Sequence, residues 1–316
     1  MDNALDLQIW RGQPVLVTGG TGFVGRHVVA LGLRQQLDLH VPTSRNLPLP
    51  GAKTYAVDLS DKAQVVALIE QVQPKAILHL AAAGVTYGAA SLEQMLRVNV
   101  LGLQSLLEAA AALPAPPTVV IAGSGAEYAP QNRFLQEDDP TLPASAYGVS
   151  KAAAFPIAQY YAQKLPITWL RLFNIYGPGE AYPRLAPYIV QQSLRGEAIE
   201  LTAGEQIRDY VHVDDVAEAI WRTAALAHRA DGIQVINVGS GQPLPLKVFV
   251  QTLVAALREH GIDAPVQLGV KPYRPDEPMF YAADINRMSA LLDWTPTISL
   301  ETGLQATVEA MLEQAR

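Results

Sequence analysis

Val15-Leu-Val-Thr18-Gly19-Gly-Thr-Gly22-Phe23-Val24-Gly25 decides the fold. An apolar, β-branched run ends at Thr18, and glycines follow at 19, 22 and 25. Residues 23–34 are then apolar at helical spacing. The pattern predicts a strand, a tight turn and a helix. Glycines let such a turn reverse sharply and approach a pyrophosphate, whose charge sits at the positive end of the helix. Gly25, one turn inside the helix, puts no side chain between helix and sheet. The stretch predicts dinucleotide binding, with Gly19, Gly22, Phe23, Val24 and Gly25 at the cofactor.

Outward from this turn the chain alternates. Further strands are expected at 37–41, 53–59, 76–82, 118–123 and 167–173, with helices at 61–73, 91–112 and from 147 onward. Crossover-length spacing between strands means a doubly wound, parallel Rossmann-type α/β sheet. After Asn174 the rhythm changes to turns, short strands and helices, read as a smaller C-terminal substrate-binding cap. The expected division is 1–173 with 206–240 as the dinucleotide-binding domain, and 174–205 with 241–316 as the substrate-binding domain. His79, inside the fourth strand, reads as a core or edge histidine. Pro156 falls inside the helix from 147 and should bend it.

Of 316 residues, 49% are hydrophobic and 17% charged, which fits a globular chain. A net charge of −7 argues against nucleic acid or an anionic membrane as partner. With no cysteine there is no disulfide framework and no thiolate chemistry, and no histidine pair stands at metal-ligand spacing, so no metal is expected. The first residues lack a signal-peptide pattern and no apolar run reaches bilayer length, which gives the expectation of a soluble cytoplasmic protein.

Two clusters carry chemistry. Tyr147 and Lys151 are four apart and so share one helix face. An ammonium beside a phenol favours the phenolate, which predicts a lowered Tyr147 pKa and a role as general acid/base. At the end of the second strand, where a dinucleotide's ribose lies, stand Thr43, Ser44 and Arg45 and no carboxylate. Two hydroxyls and a guanidinium suit a 2′-phosphate, so NADP is favoured and NAD possible.

These motifs, with His79-Leu80-Ala81-Ala82, Asn99-Val-Leu-Gly, Leu170-Arg-Leu-Phe-Asn174-Ile-Tyr-Gly-Pro-Gly179, Arg208-Asp-Tyr-Val-His-Val-Asp-Asp-Val216 and Trp294-Thr-Pro, resemble the extended short-chain dehydrogenase/reductase family, in its nucleotide-sugar epimerase, dehydratase and reductase group. The resemblance implies that Ser124 bonds the reacting oxygen, Tyr147 exchanges its proton and Lys151 holds the nicotinamide ribose. It places Asp58 and Leu59 by the adenine, Leu80, Ala81, Ala82 and Asn99 along the cofactor, and Asn174, Arg208 and Arg274 at a nucleotide-diphosphate sugar. Glu277 stands where the family has Asp. Dehydratases of the group carry an acid pair directly after the Ser/Thr; here those positions are Gly125 and Ala126, with Glu127 one step out of register. The leading expectation is an NAD(P)-dependent 4-reductase of a 4-keto-6-deoxy sugar nucleotide. The alternative is an NAD-dependent 4-epimerase, and a remote one is a non-catalytic dinucleotide sensor. Relatives pair the helices at 91–112 and 147–164 across a dimer. Leu103, Leu106, Leu107, Phe155, Ile157 and Tyr161 look surplus to one sheet, so a homodimer is expected.

Overall fold

The computed structural model describes residues 5–44, 47–86, 88–227, 233–275 and 277–315. In chain order these form β1 (Pro14–Thr18), α1 (Phe23–Arg34), β2 (Asp38–Thr43), β3 (Lys53–Ala56), α2 (Lys62–Val72) and β4 (Ala76–His79). Next come α3 (Leu92–Leu96), a π-helical segment (Arg97–Gly102), α4 (Leu103–Ala111), β5 (Thr118–Ser124), α5 (Ala146–Tyr161) and β6 (Ile167–Leu172). The later elements are β7 (Asn174–Tyr176), α6 (Leu185–Arg195), β8 (Ile199–Glu200), β9 (Ile207–Arg208), β10 (Tyr210–His212), α7 (Val213–Ala227) and β11 (Ile233–Val238). The chain ends with β12 (Leu244–Pro245), α8 (Leu246–Glu259), β13 (Val266–Gln267), β14 (Phe280–Tyr281), α9 (Asn286–Leu292) and α10 (Leu300–Ala315).

Seven strands make one parallel sheet in the order β11-β6-β5-β4-β1-β2-β3. The order reverses between β1 and β4, so a crevice opens there beyond the carboxyl ends of the strands. Both sheet faces are buried, and the strands alternate between two cores. Val15, Val17, Leu78, Val120 and Leu170 pack under α1 and α7, whereas Leu16, Ile77, Val119, Ile121 and Trp169 pack under α2, α4 and α5. This period of two explains why the strands read as unbroken apolar runs. α1 and α7 approach closely because residue 32 is glycine: a Cβ there would lie 2.7 Å from the Trp221 ring.

A third core joins α6, α8 and α10 through Ile189, Phe249, Leu253, Leu257 and Leu304. The chain interleaves the two parts. β9 pairs with β12 and β14, while α7 and β11 return to the large sheet and α9 packs on them through Met288 and Leu292. Two buried carboxylates fasten the crossings. Asp209 accepts from the backbone N–H of Ser240 (2.7 Å), Gly241 (3.3 Å) and Ala283 (3.1 Å). Asp215 accepts from those of Thr297 and Ile298, both at 3.1 Å. The Arg208–Val216 motif is thus largely a clasp.

The structure corrects the sequence reading in two places. The helix expected over 91–112 is interrupted by the π segment, because helical periodicity in the sequence passes over one extra residue in a turn. Leu103, Leu106 and Leu107 are fully buried in the chain's own core, so they are not surplus apolar surface.

Candidate active site

The glycine turn is built as its spacing requires. Gly19 has φ +72°, and a Cβ there would meet Ala81 N at 2.6 Å. A Cβ on Gly25 would meet Gly19 O at 2.0 Å, so α1 sits directly on the turn. α1 begins at Gly22 with no side-chain cap and no acid in its first turn. Its first N–H groups thus point at the cavity unshielded, which is the arrangement an anion needs.

That cavity, of about 1060 Å³, runs from the turn across the carboxyl ends of the strands to β9 and β14. It exceeds the ~300–1,000 Å³ of a site for one small ligand. Gly19, Gly22, Phe23, Val24 and Gly25 line one end, with Thr43, Ser44, Asp58 and Leu59 beyond them and Leu80, Ala81 and Ala82 along the floor. Ser124, Tyr147 and Lys151 stand in the middle, and Asn174, Arg208 and Arg274 at the far end. An extended dinucleotide fits the half nearer α1: a backbone cradle that any Cβ would fill, at a bare helix N-terminus. Arg45 lies outside the described residues. Asn99 does not line the cavity; it is buried behind it. The π segment aims its amide at Ala83, accepting from Ala83 N (2.8 Å) and donating to Ala83 O (3.0 Å), with a further bond to Ser150 Oγ (2.9 Å). Asn99 therefore shapes the floor from below. Thr43 Oγ1 accepts from Leu47 N at 3.0 Å, so that hydroxyl is tied to its own loop.

The central trio is held by burial and by one carboxylate. Lys151 Nζ donates to Ala122 O at 2.8 Å, and burial lowers its pKa to about 8. Tyr147 lines the cavity together with Ser124. Its pKa is raised, chiefly by burial and then by the charge of Glu127, while Arg184 and Ser124 act the other way. This runs against the expected lowering by Lys151: desolvation outweighs the neighbours that favour the phenolate. In this state Tyr147 is a neutral phenol, set to donate. Glu127, fully buried, turns away from the cavity and accepts from Ser124 N (2.7 Å), Trp169 Nε1 (3.1 Å) and Arg171 Nε (2.9 Å). It fixes the end of β5 on which Ser124 sits.

At the far end, Asn174 Nδ2 donates to Asp209 O at 3.2 Å. Arg208 is paired with Glu277, which gives the residue in the family's Asp position a visible partner. Among the lining residues that sequence reasoning missed, two bear on the chemistry. Arg184 follows the loop after β7, lines the same cavity and opposes the rise of the Tyr147 pKa through its charge. Nothing local in its sequence signals this, because only the path of the loop brings it there. Tyr281 lies beside Arg208 in register, and its hydroxyl fills the space next to Gly125: a Cβ at 125 would meet it at 2.2 Å.

Residues 15–239 match the NAD dependent epimerase/dehydratase family. The chain is 30% identical over 332 aligned positions to UDP-glucuronate 4-epimerase 3 of Arabidopsis thaliana, covering 95% of this chain and 76% of that protein. Among solved structures, MoeE5 in complex with UDP-glucuronic acid and NAD aligns with a TM-score of 0.83 at 30% identity, covering 95% of this chain and 99% of that one. UDP-glucose 4-epimerase of Thermus thermophilus, in complex with NAD, gives 0.79 at 29%, covering 95% and 99%. With the family matched over most of its length, a parallel seven-stranded sheet and a glycine turn facing the Ser124–Tyr147–Lys151 centre, this chain belongs to the NAD-dependent epimerase/dehydratase family and is an enzyme of its nucleotide-sugar group.

Proposed function

We propose that the protein is a 4-epimerase of a UDP-linked uronic acid that keeps NAD bound through the cycle. Bound NAD would supply the hydride acceptor and donor. Tyr147, ionised to the phenolate once the cationic nicotinamide lies beside it, would take the proton from the C4 hydroxyl and return it to the ketone, with Ser124 bonding the same oxygen. Lys151, Asp58 and the glycine turn would hold the cofactor. Arg208, Arg274 and Asn174 would hold the diphosphate end. Arg184 supports a uronate in particular: a guanidinium lining the same cavity as the reacting tyrosine suits a substrate with a carboxylate next to C4. Dehydration is disfavoured on steric grounds. An acid at 125 has no room beside the Tyr281 hydroxyl, and Glu127 is committed to Arg171 and Trp169.

A 4-reductase, the leading expectation from the sequence, finds no support in the named relatives, which are epimerases or bind a UDP-sugar with NAD. The lean toward NADP rested on Thr43, Ser44 and Arg45, whereas the named solved relatives are in complex with NAD. NAD is therefore the cofactor of this reading. Purified protein should retain nicotinamide through dialysis and interconvert UDP-glucuronate and its C4 epimer with no added cofactor. An empty site with reversible NADPH binding would favour the reductase instead.

We further propose a homodimer through α3–α4 and α5. The apolar residues left exposed on these elements and the π segment are Leu92, Leu101, Val149 and Tyr160. Light scattering at micromolar concentration should give twice the monomer mass, and Leu101→Glu should shift it toward the monomer. A monomeric wild type would contradict this.

A further inference from the structure

Arg184 is held from behind. Its Nε lies 2.5 Å from Glu180 Oε1, and its Nη2 donates to Ile175 O at 2.9 Å. Glu180 is almost wholly enclosed, its side chain 4% exposed, and it does not line the cavity, whereas Arg184 does. A guanidinium has five N–H donors, so three remain for a ligand arriving from the cavity side. We propose that Glu180 is a positioning residue, an internal stand-in for the substrate's carboxylate on Arg184, and that it takes up a proton when that carboxylate arrives. The proposal rests on the uronate reading above.

Two carboxylates on one guanidinium in an enclosed site repel one another, and the more buried of the two protonates more readily. The charged and titratable groups around Glu180 are few. Arg184 faces it directly, and the neutral Tyr210 phenol feels both charges. Arg26 lies against Gly179, and His27 Nε2 is 2.8 Å from Pro178 O. Tyr147 feels the charge of Arg184, and Tyr210 those of Arg208 and Glu277. Arg184 is the only partner Glu180 is hydrogen-bonded to among the described side chains. Burial raises the Glu180 pKa to about 7, with Arg184 opposing.

The sign follows from linkage. Below pH 7 Glu180 is already protonated in the free protein and the uronate binds at full strength. Above it, binding must draw a proton in, so affinity falls by up to ~tenfold per pH step until the complex itself titrates.

The test is calorimetric titration of NAD-loaded protein between pH 6 and 9, in buffers of different ionisation enthalpy, with UDP-glucuronate, UDP-glucose and UDP. UDP-glucuronate should bind with proton uptake near pH 8 and weaken as pH rises, while UDP-glucose and UDP show neither. Glu180→Gln keeps the shape and the bond to Arg184. It should abolish the uptake and bind UDP-glucuronate several-fold more tightly than wild type at pH 8.5, with UDP-glucose unchanged. A wild type without proton uptake, the same uptake with UDP-glucose, or a Glu180→Gln variant weaker at pH 8.5 would overturn the proposal. If the wild type prefers UDP-glucuronate to UDP-glucose in these cases, the uronate reading survives alone. No preference at pH 6 would sink both.

Discussion

Tyr147→Phe is expected to lower turnover by ~100-fold or more while leaving the nicotinamide content of the purified protein unchanged. The phenylalanine keeps the ring and its packing, so the cavity retains its shape. What disappears is the phenol hydroxyl that lines the cavity with Ser124 and Lys151. A positioned acid/base contributes about 10²–10⁴-fold. Lys151 keeps its bond to Ala122 O in the variant, so cofactor binding should survive. Nicotinamide released on denaturation measures content, and product formation measures turnover. A variant within a few-fold of wild type would remove Tyr147 from the mechanism.

Glu127→Ala is expected to cost about 3–5 kcal/mol of stability, the range for breaking a buried pair from one side. Arg171, only 2% exposed, would lose its carboxylate and keep the bond from Nη1 to Glu137 O and its place 4.3 Å from the Tyr128 ring. Ser124 N and Trp169 Nε1 would lose their acceptor as well. Because Ser124 ends β5 at that bond, activity should fall along with stability. Denaturant titration reads the stability. A change below about 1 kcal/mol would mean that Arg171 finds another partner and that Glu127 does not anchor the site.

Much of this was legible in residues whose meaning is local. The glycines at 19, 22 and 25 gave the turn, since positive φ and close backbone approach depend on glycine alone. Burial on both faces made β1, β4, β5 and β6 readable as largely apolar runs. The seventh strand, β11, escaped the sequence reading because Ile233, Gln234 and Val235 are half-exposed and carry no clean pattern. Tyr147 and Lys151 were found by spacing, yet their electrostatics were misjudged: the sign depends on how deeply the phenol is buried. Asn99 was placed along the cofactor, but a π turn hides it behind Ala83. Arg184, Glu180 and Tyr281 meet the site through loop and strand pairings far apart in sequence, which no spacing encodes.

The most direct measurement follows the hydrogen at C4. UDP-glucuronate deuterated at C4 would be incubated with the dialysed protein, without added cofactor, and the sugar read by NMR. The epimerase account predicts a mixture of the two C4 epimers, both retaining deuterium at C4. Loss of the label to solvent, its appearance on free reduced cofactor, or no conversion of the sugar at all would contradict it.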